Sequence, residues 1–167
     1  MQVEKPVDFP AHGYFLNLSI TNRCATEAPV EIVKYRYSGF SFRATESWDK
    51  NNSTVLTSEG KDRYTSNFTR AKWVSVQGDV PGGGKAGIVL MSHPDNRDHP
   101  QLLRTWGKLH NGSVFINFNP VQESPWKFEP DNDYIQRYRL FVYDGTVTAQ
   151  QAEGLWQDFA HTSKTRK

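Results

Sequence analysis

Hydrophobic side chains in this chain recur at every second position, in short runs separated by turn formers. That period places alternate side chains on opposite faces of an extended segment, so each run buries one face and wets the other. In residues 15–20, Leu16, Leu18 and Ile20 share one face while Asn17 and Ser19 share the other. Val30-Glu31-Ile32, Phe40-Ser41-Phe42 and Trp73-Val74-Ser75-Val76 repeat the pattern. Residues 113–118 alternate with Val114, Ile116 and Phe118 on one side, and residues 138–143 end at the turn signal Asp144-Gly145. Residues 88–91 are apolar on both faces, the pattern of a central strand covered from two sides. Short strands joined by Gly- and Pro-bearing turns predict an all-β fold, an antiparallel β-sandwich.

One helical pattern stands near the C-terminus. Thr148 and Gln151 have the spacing of a capping box. Ala152, Leu155, Trp156 and Phe159 then recur at helical spacing, which predicts an α-helix over 149–160. That helix would pack Trp156 and Phe159 on a sheet and turn Asp158 and His161 to water. Residues 46–58, 78–84, 92–104 and 120–130 read as loops, the last because its prolines exclude a central strand. No linker or internal repeat divides the chain, so residues 1–167 are expected to form a single domain. Aromatics at 13% supply large side chains for its core.

Charge and length exclude several function classes. Twenty Lys and Arg stand against 18 Asp and Glu, for a net charge of +2. The signs are interspersed apart from a basic tail, Lys164-Thr165-Arg166-Lys167, so no nucleic-acid partner is expected. No apolar run approaches the roughly 18 residues of a membrane-spanning helix, so no membrane partner is expected either. The lone Cys24 rules out an internal disulfide and a Cys-rich zinc site. The N-terminus carries no hydrophobic signal core, and the compartment is left open.

The densest polar chemistry is Ser92-His93-Pro94-Asp95-Asn96-Arg97-Asp98-His99-Pro100, followed by Arg104 and Trp106. It leaves directly from the most apolar strand, so its start is fixed by a rigid element. Guanidiniums can give paired hydrogen bonds to a carboxylate or to vicinal hydroxyls, and imidazole can move protons near neutral pH. The expected catalytic set is therefore His93 or His99 as acid–base with Glu59 as partner. Arg97, Arg104, Asn96 and Asn117 are expected to bind substrate, with Trp106 as a stacking platform. These heads would gather around one open, concave hollow. The alternative is a turn braced by its own polar side chains. His93, Asp95 and His99 are metal-ligating types, but their spacing matches no helix-borne motif, and neither metal nor cofactor is expected. Trp126 is either a core plug or a ligand platform.

The order of several motifs carries a family resemblance. Gly39-Phe40-Ser41-Phe42-Arg43, the run 52–60 closing in Ser58-Glu59-Gly60, and Ala71-Lys72-Trp73-Val74 are its first half. Gly87-Ile88-Val89-Leu90-Met91-Ser92-His93-Pro94, then Asn96-Arg97 and His99-Pro100, is its most specific part. Residues 138–145 ahead of Leu155-Trp156 complete it. Together these resemble the PmoA-like family of bacterial proteins over about residues 36–161. The label refers to methane oxygenase, which needs a membrane-bound copper enzyme; this sequence has neither span nor evident copper site, so the label is taken as a name. The resemblance implies a β-sandwich related to the galactose-mutarotase-like supersandwich, whose relatives mostly bind or modify carbohydrates. Family members are typically longer, with a His-rich motif in an N-terminal half that faces the same cleft. Here His12 is the N-terminal histidine, so the chain is similar to the C-terminal half and is expected to lack the other.

Three functions follow as expectations. The first is a carbohydrate-binding or carbohydrate-active β-sandwich. The second is a non-catalytic interaction module or fragment that pairs through exposed sheet edges, with a copy of itself or with a missing partner half. The third is a metal-dependent oxygenase.

Overall fold

The computed structural model describes residues 1–4, 10–107 and 110–161; the basic tail at 164–167 lies outside them. Among the described residues eleven strands and one α-helix follow in order: β1 (Gln2–Val3), β2 (Gly13–Asn22), β3 (Val30–Ile32), β4 (Phe40–Arg43), β5 (Ser53–Thr57), β6 (Trp73–Asp79), β7 (Lys85–Ser92), β8 (Leu102–Trp106), β9 (Phe115–Asn119), β10 (Trp126–Phe128), β11 (Tyr134–Asp144) and α1 (Ala149–Ala160). They form a six-stranded sheet in the order β1-β2-β11-β7-β6-β5, a three-stranded sheet β4-β9-β8, and a two-stranded ladder β10-β3. Every pairing is antiparallel.

The period-two pattern dictates two layers of packing. Val74, Val76, Ile88, Leu90, Tyr138 and Leu140 face inward from the six-stranded sheet and meet Leu103, Ile116 and Phe118 of the three-stranded sheet. The alternate residues Trp73, Val89, Met91, Phe141 and Tyr143 point the other way, onto Ala152, Leu155 and Phe159 of α1. This explains why residues 88–91 are apolar on both faces: one covers the sandwich core and the other lies under the helix. Burying each such side chain contributes about 1.5–3 kcal/mol relative to exposing it. Tyr138 is the one phenol in the inner layer; burial pushes its pKa up, and its hydroxyl donates to Gln101 Oε1 at 3.0 Å.

The helix spans 149–160 as its spacing predicts, and both halves of the Thr148/Gln151 capping box form. Trp156 is only partly buried; its indole N–H caps the end of β7 by donating to the Ser92 carbonyl at 2.9 Å. Three loop expectations are corrected, the first at 92–104, whose last residues begin β8. Residues 46–58 contain β5, whose Val55 enters the core from a polar run. Residues 120–130 contain the short strand β10, on which Trp126 packs against Phe128 and Tyr134. The outer edge of β5 is covered rather than free: Leu56 bridges Asp62, and Arg63 donates to the Ser53 carbonyl and hydroxyl. At the opposite edge β1 is only two residues long. Short or covered edges blunt strand-to-strand association. Among the described residues no helix is long and apolar enough to cross a membrane.

Candidate functional site

Residues 92–101 leave the end of β7 and are tied down almost residue by residue. Asn96, 5% exposed, accepts the Arg137 peptide N–H at 2.7 Å and donates to the Arg137 carbonyl at 2.7 Å. Its amide acts as a strand partner for β11. Gln101 accepts the hydroxyls of Tyr138 and Ser92 and donates to the Arg97 carbonyl at 3.0 Å. Arg97 donates to the Pro125 carbonyl at 2.7 Å, to Ser124 Oγ at 3.1 Å and to the Pro120 carbonyl at 3.3 Å, and lies over Trp126. It clamps the 120–126 segment to the sandwich.

The imidazoles sit beside α1. His93 is 2% exposed, accepts the Asp95 N–H on Nδ1 at 3.1 Å and meets Phe159 edge-on. His99 is half-buried and stacks flat on Trp156, with ring centres 6.0 Å apart, while the Lys72 ammonium lies 4.7 Å from the indole centre. Burial, and then the charges of His93 and Lys72, lower the His99 pKa and so favour its neutral ring. Glu59 is exposed on the turn after β5, accepts the Ser58 hydroxyl at 3.3 Å, and bonds to neither imidazole among the described residues. Two carboxylates reach this corner: Asp95, 3.9 Å from His93 Nδ1 and paired with Arg137, and Glu153, which accepts Lys72 Nζ and Trp73 Nε1 at 2.7 Å each.

Arg104, Trp106 and Asn117 lie elsewhere, on the outer face of the three-stranded sheet. The register sets that face as two rows: Arg43, Phe115 and Trp106, then Ser41, Asn117 and Arg104. Asn117 is fully buried and is used by the fold: it accepts the Ser38 N–H and donates to the carbonyls of Ser38 and Phe40. Asn119 donates to the Tyr35 carbonyl at 2.9 Å. These two amides hold residues 33–38 as a strap across the sheet. Tyr37 of the strap meets Trp106 and Phe115 edge-on, and its hydroxyl accepts Trp106 Nε1 at 3.1 Å. The Arg104 guanidinium lies 5.4 Å from the Tyr37 ring centre and 5.7 Å from that of Phe68, and donates to Asn67 Oδ1 at 3.0 Å. Arg43 covers Trp106 at 4.9 Å, and Arg36 covers Tyr37 at 5.5 Å. Arg104 donating toward the phenol oxygen is the main cause of a lowered Tyr37 pKa; Trp106 and the charge of Arg36 act in the same sense.

Beside Arg104 opens a hollow of about 420 Å³ lined by Lys34, Tyr35, Arg36, Phe68 and Gln122. Phe68 is 60% exposed and has φ of 60°, in the left-handed region that a bulky side chain avoids. Its N–H is fixed by the Leu103 carbonyl at 2.9 Å. Gln122 is 6% exposed, and both polar atoms of its amide, like Arg104 Nε, are buried without a hydrogen-bond partner among the described residues. A larger cavity of about 500 Å³ opens at the end of the sandwich, but its walls include the core residues Phe42, Trp48, Ile88 and Val142.

The expected single hollow is therefore two groups, with both sheets between them. His93 and His99 stand by the helix; Arg104, Trp106 and Asn117 lie on the far face; Asn96, Arg97 and Asn117 are bracing residues; and Glu59 joins neither group. Sequence reasoning missed Tyr37, Phe68 and Gln122. Lys34-Tyr35-Arg36-Tyr37 held a usable signal, because cations alternating with aromatics mark a binding surface. Among the described residues no three His, Cys, Asp or Glu side chains come together as a ligand set for a metal ion.

A family model described as "Family of unknown function (DUF6807)" matches residues 1–157. No curated protein and no solved structure matches the chain.

Proposed function

Since this chain belongs to the DUF6807 family, whose description assigns no activity, its role has to be read from its own surface, and we propose that it is a carbohydrate-binding β-sandwich whose ligand lies on the strapped face of the three-stranded sheet. A sugar ring has an apolar C–H face and a rim of hydroxyls. It needs a flat apolar platform and a few fixed polar groups, in a hollow of a few hundred Å³. Phe68 and Tyr35 supply exposed rings, Lys34 and Arg36 supply donors on the wall, Arg104 lies behind the Phe68 ring, and Gln122 supplies an amide donor group and an acceptor.

One observation carries the reading. Phe68 is held outward in a conformation that costs about 1–2 kcal/mol, beside a buried amide that the fold leaves unsatisfied. Local strain and unmet hydrogen-bonding capacity at one place are what a ligand site retains and a bare surface does not. The resemblance to the PmoA-like family supports the same class of ligand. Binding is favoured over turnover because the expected acid–base pair of an imidazole and Glu59 is not assembled.

Isothermal titration against a panel of neutral and acidic mono- and oligosaccharides tests the proposal. At least one sugar should bind, and Phe68→Ala should weaken it tenfold or more without lowering Tm. A panel with no binder, or equal affinity in Phe68→Ala, contradicts it.

A further inference from the structure

The strapped face has a charge as well as a shape. Lys34 and Arg36 line the hollow, Arg104 lies against Phe68, and Arg43 covers the neighbouring Trp106. None of the four makes an ion pair among the described residues. The acid next to Gln122 in sequence, Glu123, is already held by Arg70 at 2.6 Å, and Arg70 also pairs with Asp98. Elsewhere Lys72, Lys85, Lys127, Arg23, Arg137 and Arg139 each face a carboxylate, Arg63 and Arg97 are taken up by backbone carbonyls, and Lys50 and Lys61 are exposed without an ion pair among the described residues. In a chain of net charge +2, what sets this face apart is that four such cations are grouped around one hollow and its neighbouring rings.

Guanidiniums recognise planar oxyanions through paired N–H donors, and the recognition strengthens where aromatic walls displace water. Arg104 is suited to this. One of its terminal nitrogens is fixed by Asn67, and its Nε is buried without a partner among the described residues. Its position against the Tyr37 and Phe68 rings restricts its motion, so little conformational freedom remains to be lost on binding. Arg36 is exposed on the strap, over the Tyr37 ring, and adds a second charge on the same side.

We infer that the ligand of this face is an anionic sugar, a glycan ring bearing a carboxylate or a sulfate ester, whose charge is received by Arg104 and Arg36 while its apolar face lies on Phe68. This rests on the carbohydrate reading above and narrows it to a substrate class. Gln122, at the same hollow, supplies the neutral donor and acceptor that the ring hydroxyls require. Because exposed charges are screened over about 8 Å at physiological salt, affinity for such a sugar depends on ionic strength, whereas affinity for a neutral sugar does not.

The experiment compares size-matched probes on the full chain by titration calorimetry at low and high salt. The probes are glucose, glucuronate and glucose 6-sulfate, the corresponding galactose series, and a short oligothymidylate. An acidic sugar should bind at least tenfold tighter than its neutral parent, with the preference shrinking as salt rises. The carboxylate and sulfate arms identify which oxyanion is preferred. Arg36→Gln and Arg104→Gln should each remove most of the preference, and Arg36→Gln, on the exposed strap, should leave Tm unchanged. Equal affinity for acidic and neutral sugars overturns this inference and leaves the carbohydrate reading standing. Binding of no sugar overturns both. Binding of the oligothymidylate as tightly as the best sugar overturns the inference in favour of a phosphate-backbone surface.

Discussion

The segment 92–101 and the strapped face put the same residue types to opposite uses. In the segment, Asn96 is matched to the Arg137 backbone, Arg97 to the 120–125 backbone, and Gln101 to Tyr138, Ser92 and Arg97. On the face, Arg104 Nε and the Gln122 amide are left over beside a hollow, and four cations have no counter-charge among the described residues; in the segment His99 Nδ1 is also buried without a hydrogen-bond partner, but its ring is stacked on Trp156 and lines neither hollow. Density of polar chemistry in a sequence therefore does not mark a site. What marks it is hydrogen-bonding capacity that the fold does not consume, next to a hollow.

Substitution in each region should separate the two uses, and the largest effect belongs to the segment. Asn96→Leu leaves the Arg137 peptide N–H buried and unmatched, and should cost about 2–3 kcal/mol in urea denaturation. The affinity of the remaining folded protein for its sugar should not change; a loss of affinity at full stability would move Asn96 back into the binding site. Gln122→Leu does the reverse. It removes an unsatisfied amide at similar volume, and should raise stability by about 1 kcal/mol while weakening sugar binding. Phe68→Gly should have a smaller effect on stability. Release of left-handed strain outweighs the added freedom of glycine by only about 0.5 kcal/mol, yet the aromatic platform is lost.

The smallest effect concerns the helix side. The folded pKa of His99 lies below its ordinary value of 6.5, so the unfolded chain takes up that proton first as pH falls. The stability contributed by the neutral ring is present above pH 6.5 and declines as pH drops from there through the folded pKa. His99→Gln should flatten this part of the stability curve, read as Tm against pH, and leave sugar affinity unchanged. A pH-dependent sugar affinity that disappears in His99→Gln would instead restore a role for the imidazole in binding.

The alternating runs and the helix were legible because burial on one face writes its period directly into the chain: Leu16 and Leu18, Val74 and Val76, Ile116 and Phe118 all face the core as their spacing predicts. β5 was not legible, because its core contact rests on Val55 between Thr54 and Leu56 in a polar run. β8 lay hidden in the segment taken as a loop, since Leu102-Leu103-Arg104-Thr105-Trp106 mixes an apolar start with two outward polar or aromatic heads. The candidate site was legible only in its residue types. Arg104 and Trp106 belong to it, but the partners of Asn96, Arg97 and Asn117 are backbone groups 41, 28 and 79 positions away. Nothing local in a sequence announces such partners. The left-handed Phe68 is likewise set by the Leu103 carbonyl and not by its neighbours in the chain.

The most direct test follows backbone amide resonances of isotope-labelled protein during titration with galacturonate. Shifts should concentrate at Lys34, Arg36, Tyr37, Phe68, Arg104 and Gln122, with His93, His99 and Trp156 unmoved. Shifts centred on the two imidazoles and the helix, with the strap silent, would contradict this assignment of the site.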